Sequence, residues 1–314
     1  MKHLNVPVAA AILSALLAIP AYADITRSIA KSFAAQPTGH LQVATFGGNI
    51  EVQTSRDGTA SVRAIERIHA GSDAEAEKIV QKLALSIEQH GADIVCSAEY
   101  PEQGLGFHFG SWPPIGVDFV VTVPARFETN LRTSGGNVVV GDLAGRVHAR
   151  TSGGNIELGS LGGEVDASTS GGNVTLRDGG GRAELRTSGG EIKVGRVAGP
   201  AVLSTSGGDI KVESVENELD ASTSGGDIRA WIAGPLKGDS ALETSGGSVE
   251  VTVAGTAGFT LDAATSGGDV TVDNLTVTLS NGVVGSSRLK GIVNSGGPLL
   301  KLRSSGGDIS IKGR

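Results

Sequence analysis

Thr151-Ser152-Gly153-Gly154-Asn155-Ile156-Glu157-Leu158 returns eighteen residues later as Thr169-Ser170-Gly171-Gly172-Asn173-Val174-Thr175-Leu176, and this echo decides the fold. The same Thr-Ser-Gly-Gly opens at Thr133, Thr187, Thr205 and Thr223 at that interval, then at Thr244 and Thr265, 21 residues apart. Degenerate copies stand at Asn294 and Ser304. Self-similarity at a fixed short period marks a solenoid, in which each copy buries its apolar edge against its neighbours. After each Gly-Gly come two apolar residues two apart, as in Val138 and Val140, Ile192 and Val194, or Ile228 and Ala230. Residues two apart share one face of a strand. A second strand carries Val147/Ala149, Val165/Ala167, Ala183/Leu185, Ala201/Leu203 and Leu219/Ala221. In each pair a larger residue accompanies alanine, which keeps the inward volume nearly constant, as a close-packed interior demands. The pattern predicts a mainly β protein, with a parallel β-solenoid over residues 131–314. Roughly ten coils about 4.8 Å apart make a rod on the order of 50 Å long. A right-handed winding is expected, because the repeat lacks a clean hexapeptide pattern.

The corner residues have structural work. Gly-Gly permits positive φ and close backbone approach. The Asn or Asp that follows (Asn137, Asn155, Asn173, Asp209, Asp227, Asp269, Asp308) is expected to bond its own backbone. Stacked Thr and Ser hydroxyls are expected to satisfy one another along the rod.

Residues 24–130 read as a small α+β capping domain. Leu41 to Ala44 and Ile50 to Val52 alternate as half-buried strands do. Asp57-Gly58 signals a hairpin whose returning strand runs from Ser61 to Ile65. Ser72 caps a helix, with Glu75 completing a capping box. Ala76, Ile79, Val80, Leu83 and Ile87 share its apolar face, and Gly91 ends it. Ile94 to Ala98 and Val117 to Val123 are further strands.

Composition narrows the function. The 314 residues include 48 glycines, about twice the usual share, which disfavours a helical bundle. A formal charge of −7 argues against a general nucleic-acid binder. The single cysteine, Cys96, excludes a disulfide framework and a cysteine-based zinc cluster. Residues 1–23 have a signal peptide's features: Lys2, an apolar run from Val8 to Ile19, and Ala21-Tyr22-Ala23 before Asp24. That run is too short for a membrane span, and no later stretch of 18 apolar residues appears. The expected location is periplasmic or secreted, up to the cell surface.

Catalytic signals are sparse. The histidines show no paired metal-ligand spacing, and there is no nucleophile elbow. Asp209 and Asp227 stack in successive coils, but Lys193, Lys211 and Arg229 stand two residues from Glu191, Asp209 and Asp227 and offset them without calcium. The same pairing makes that basic stripe an ordinary solvated strand face. His148, between inward Val147 and Ala149, is expected to point to solvent. Coils of 18 residues leave little loop for the cleft of a β-helical carbohydrate-active enzyme. The Thr ladders lack the Thr-x-Thr pairs of an ice-binding face. One segment breaks the regularity: residues 100–119 hold five of the ten aromatics beyond residue 23. Within it, Phe107, Phe109 and Trp112 either cap the first coil or contact a partner.

Several motifs, in order, resemble the bacterial putative-adhesin family, a domain of unknown function built from β-strand repeats. They are Gly47-Gly48-Asn49-Ile50-Glu51-Val52, Val117-Asp118-Phe119-Val120-Val121-Thr122-Val123-Pro124, the Thr-Ser-Gly-Gly copies, Gly296-Gly297-Pro298-Leu299-Leu300 and Ser305-Gly306-Gly307-Asp308-Ile309. The likeness covers nearly all the chain beyond residue 23. It implies a β-solenoid envelope or surface protein and brings no catalytic residues. The glycine-aromatic run at 104–112 departs from the pattern. The expectation is therefore a non-enzymatic protein without cofactor or metal, serving adhesion, scaffolding or sensing through its side faces. Its expected partner is an envelope protein or glycan. The rivals are a β-helical carbohydrate-active enzyme and a self-assembling element. Self-assembly enters because the last strand, Asp308 to Lys312, carries no evident polar cap.

Overall fold

The computed structural model describes residues 23–56, 58–100 and 113–314. The leader expected at 1–23 lies outside them apart from Ala23. Two sheets of 13 and 14 strands enclose one continuous apolar core. Each repeat gives one strand to each sheet. The first sheet begins with Ala23–Ala34, Thr59–Ala70, Ile115–Val123 and Ile50–Thr54. It then takes the strand after each Gly-Gly in chain order, from Val138–Val140 to Val249–Val253. The second sheet begins with Ala84–His90, Asp93–Glu99, His40–Thr45 and Glu128–Thr133, then runs in chain order from Val147–Arg150 to Ser240–Thr244. Both sheets therefore pass residue 130 without a break. Pairing between coils is parallel and in register, so Ile156 faces Val174, Val174 faces Ile192, and Ile192 faces Ile210. The inward pairs read from the sequence are all buried. Each fully buried Val, Leu or Ile contributes about 1.5–3 kcal/mol.

The corners differ from expectation in their chemistry. No glycine of the Thr-Ser-Gly-Gly copies has positive φ; the described glycines that do are Gly58, Gly91, Gly296 and Gly297. Close approach is what demands the second glycine. A Cβ on Gly190 would sit far inside contact distance of the Gly172 carbonyl oxygen, whereas one on Gly189 would meet nothing nearer than 3.4 Å. Hydroxyl pairing between coils occurs at the serines, where Ser222 Oγ donates to Ser204 Oγ at 3.2 Å, but the corner threonines bond the backbone instead. Thr187 Oγ1 donates to the Gly172 carbonyl of the preceding coil at 2.7 Å and accepts from the Gly190 N–H at 3.2 Å. Thr133, Thr151, Thr169, Thr205 and Thr223 repeat the donation at 2.7–2.9 Å. A buried carbonyl outbids a second hydroxyl because leaving it unpaired costs about 1–3 kcal/mol. The Asn and Asp side chains likewise reach the next coil rather than their own backbone. Asn137 Oδ1 accepts from Asn155 N–H, Asn155 Oδ1 from Asn173 N–H, and Asp209 Oδ1 from Asp227 N–H, at 2.8–2.9 Å.

Two N-terminal expectations are corrected. The helix is only Asp73–Val80, capped by Ser72, whose hydroxyl accepts from Glu75 N–H. Ile87 lies instead on the strand Ala84–His90, antiparallel to Asp93–Glu99, and Gly91 at φ +65° turns that hairpin. Leu85 and Ile87 also fit a period of two, and an available strand partner overrides the helical spacing. Ile50–Thr54 and Thr59–Ala70 form no hairpin, because Ile115–Val123 pairs between them. Asp57 lies outside the described residues.

The C-terminal coil breaks chain order. Ile309–Gly313 inserts between Val249–Val253 and Val270–Asp273. Leu299–Ser304 inserts between Ser240–Thr244 and Phe259–Thr265. The last strand is thus an interior strand, which removes the ground for self-assembly through it. Burial explains the order: Ile309, Ile311, Leu300 and Leu302 are wholly buried, while Val270 and Val272 remain half-buried and suit the edge. The antiparallel strands Val277–Gly285 and Arg288–Val293 cover the other edge, beside Phe259–Thr265. Asn294 forms no repeat corner. At φ 50° it donates from Nδ2 to the carbonyls of Gly255 and Ala257.

Thermal melts of neighbouring variants test the corner. Gly190→Ala is expected to lower stability by at least about 2 kcal/mol, and Thr187→Val by about 1–3 kcal/mol. Gly189→Ala is expected to stay within about 0.5 kcal/mol of the parent. Equal effects of the two glycine substitutions would contradict the close-approach account.

Candidate functional site

The outer face of the first sheet carries two rows of side chains, set by the period-2 alternation. One row holds Thr175, Lys193, Lys211, Arg229 and Glu250 on adjacent strands. The next holds Arg177, Gly195, Glu213, Trp231 and Thr252 at the following outward position of those strands. Ile228, Ala230 and Ile232 point inward, which drives Arg229 and Trp231 out. Trp231 is 36% exposed, and the Arg314 guanidinium lies 5.4 Å from its ring centroid, a cation–π contact. Pairing is irregular between Val212 and Val215, so the strand beside Trp231 bends locally.

Two shallow troughs flank the indole and share Lys193 and Glu213. One, of about 430 Å³, is walled by Lys211, Arg229, Glu250 and Thr252. The other, of about 670 Å³, is walled by Thr175, Arg177, Asp178 and Arg196, with Gly195 as its floor. Glycine there leaves a gap in a row of large side chains.

Ion pairs order this face: Lys211 with Asp209 and Arg229 with Asp227 pair as expected, and Lys193 departs from the expected Glu191. Lys211 Nζ lies 2.7 Å from Glu191 and 3.5 Å from Asp209. Lys193 turns to Glu213 at 3.8 Å, while Arg229 meets both Asp227 at 3.2 Å and Glu250 at 3.5 Å. The hydrogen bond that Lys211 donates to Glu191 holds its ammonium above the ordinary pKa. Lys312, 2.7 Å away, holds the Glu250 carboxyl below its own. These groups are half-exposed or exposed, and such pairs are worth about 0–1 kcal/mol each.

Other candidates fall elsewhere. Phe107, Phe109 and Trp112 lie outside the described residues. Of their aromatic neighbours, Phe119 is wholly buried and Tyr100 packs against Phe46 with centroids 6.2 Å apart, so both belong to the core. His148 faces outward and pairs with Asp166 at 3.0 Å. Cys96 is buried, which pushes its thiol up to about 12, far from a reactive thiolate. Among the described residues no group of three His, Cys, Asp or Glu could hold a metal ion, and no helix is long and apolar enough to cross a membrane. Trp231 escaped the sequence reading, although the alternation of Ile228 to Ile232 places it outward.

A third hollow, of about 280 Å³, opens between Ile29, Lys31, Glu66, Val80, Leu83, Leu85 and Ile87. Lys31 Nζ donates across it to the Ile87 carbonyl at 2.8 Å. Glu66 is 3% exposed, and burial raises its pKa against the opposing pull of Arg27.

A family model described as Toastrack DUF4097 matches residues 38–312. No curated protein matches the chain. Among solved structures the chain is similar to a putative adhesin from Bacteroides fragilis NCTC 9343, at 14% identity and TM-score 0.36, covering 92% of this chain and 97% of that one. It is similar to a putative lipid binding protein from Parabacteroides distasonis ATCC 8503, at 14% identity and TM-score 0.46, covering 91% and 96%. A putative adhesin from Parabacteroides distasonis ATCC 8503 gives 11% identity and TM-score 0.48, covering 90% and 97%.

The Glu66 environment predicts a pH signature. Its folded-state pKa is raised, so its contribution to stability is present in acid and is lost as pH rises through that value. Glu66→Gln is therefore expected to melt above the parent at neutral pH, with the gap closing on acidification. A variant less stable at neutral pH would contradict this.

Proposed function

The chain belongs to the Toastrack DUF4097 family, and from that premise we propose that it is an exported, non-catalytic β-solenoid of the bacterial envelope. In this reading it is periplasmic or secreted and works in adhesion, scaffolding or sensing through the outer face of the first sheet. Its partner is an envelope protein or glycan, not nucleic acid. The observation that carries the reading is Trp231, a large aromatic held outward between two shallow troughs whose outward-facing lining is otherwise charged, polar or glycine. Exposed aromatics of this kind supply contact energy at recognition surfaces. The carboxylates around it pair with cations along the strands instead of converging on a cleft, which suits contact better than hydrolysis. Phe107, Phe109 and Trp112 are proposed as a further contact element, from their sequence alone.

Capture from envelope extract by the chain starting at Asp24 tests this reading. Trp231→Ala is expected to reduce capture by about tenfold while leaving the melting temperature within a few degrees. Trp112→Ala in parallel reports whether the aromatic segment contributes. Undiminished capture by Trp231→Ala would overturn the role of this face, and turnover of any envelope polysaccharide would overturn the non-catalytic reading. Mature protein in the periplasmic or secreted fraction, beginning at Asp24, is expected if the leader is cleaved.

A further inference from the structure

The troughs beside Trp231 have a chemistry that narrows the ligand. Lys193, Lys211 and Arg229 face one another in register on three adjacent parallel strands. Their stems are therefore spaced about 4.8 Å apart in a straight line across the sheet. Like charges in direct register are unfavourable, and the protein offsets them with carboxylates drawn from neighbouring positions. Those carboxylates are partly exposed and each pair is worth only about 0–1 kcal/mol, so the cations can turn from them toward a ligand. The two troughs are lined by five cationic side chains and three acidic ones, with the paired Glu191, Asp209 and Asp227 just outside that lining, within a chain whose formal charge is −7. Trp231 stands in the adjacent row, two residues along its strand from Arg229, about 7 Å away. An indole face accepts the C–H surface of a pyranose ring, which on Trp231 shares the ring with the Arg314 guanidinium, while ammonium and guanidinium groups donate to the sugar's carboxylate. The troughs are open and shallow, without the deep apolar pockets that seat peptide side chains.

We propose that this face binds a linear anionic polysaccharide carrying a carboxylate on each repeating unit, laid across the strands with one sugar on Trp231 and successive carboxylates on Arg229, Lys211 and Lys193. This inference rests on the contact role proposed for the same face. The regular strand spacing lets consecutive sugars meet consecutive cations, so affinity should grow with oligomer length until the row is filled.

Titration calorimetry with polyuronate oligosaccharides of increasing length, against neutral glucan oligosaccharides of the same lengths, tests it. Binding is expected for the polyuronate alone, weakening at least about tenfold as salt rises from about 0.1 M to about 1 M. Trp231→Ala and the triple variant Lys193→Gln, Lys211→Gln, Arg229→Gln are each expected to weaken it about tenfold or more. Trp231→Phe should recover part of the loss, and circular dichroism melts confirm that the variants fold. Equal binding of the neutral glucan, salt-insensitive binding, or undiminished binding by the triple variant would overturn the inference. Failure of the polyuronate to bind, alongside Trp231-dependent capture of envelope material, would defeat this inference and leave the contact role standing. Capture that ignores Trp231 would defeat the contact role itself.

Discussion

Two backbones pass so closely at each Thr-Ser-Gly-Gly corner that the second glycine can bear no side chain, and the rest of the architecture depends on that approach. Because the approach repeats, each carbonyl of these glycines is sealed under the next coil and needs a donor there. The threonine hydroxyl supplies it and takes the glycine N–H three residues on in return, so both polar groups are satisfied inside the turn. The Asn or Asp that follows ties its coil to the next at the surface. A corner closed in this way fixes where both strands of the coil begin. Register between coils follows, and the two faces of each strand separate cleanly into a buried and an exposed set.

That separation frees the outside. Once Ile, Val, Leu and Ala have filled the interior, the outward positions carry no packing duty and vary from coil to coil. On most of the first sheet they hold charges that neutralise one another. Around Trp231 the same freedom yields a ring, a gap at Gly195 and a line of cations. A site of this kind is a feature of the surface and not of the winding, so substitution there should leave the fold intact.

Much of the winding was legible in the sequence because its causes are local and repeated. Period-2 apolar pairs and the alanine compensation between them identify the inward face in every coil. What escaped depends on contacts distant along the chain. The strand Ala84–His90 satisfies a helical pattern by itself and becomes a strand only because Asp93–Glu99 offers it a ladder. The C-terminal coil reads as the end of the stack, yet its wholly buried Leu300, Leu302, Ile309 and Ile311 need neighbours on both sides. The hydroxyls were expected to pair with one another along the rod and the amide side chains with their own backbone, because sequence spacing cannot weigh a sealed carbonyl or a free N–H one coil away. Trp231 was legible in principle, since the pairing of Ile228 with Ala230 already fixed the direction of the residue after them.

The stack advances one strand at a time, with the C-terminal coil lying inside it. Spin-label distances along one outward row test this most directly. With one label at Glu157 and the second placed in turn at Lys193, Arg229 and Ser310, distances are predicted to rise to about 10, 19 and 29 Å, and the Thr271 label to lie about 5 Å beyond Ser310. A series that failed to rise with strand number, or a Thr271 label nearer to Glu157 than the Ser310 label, would contradict it.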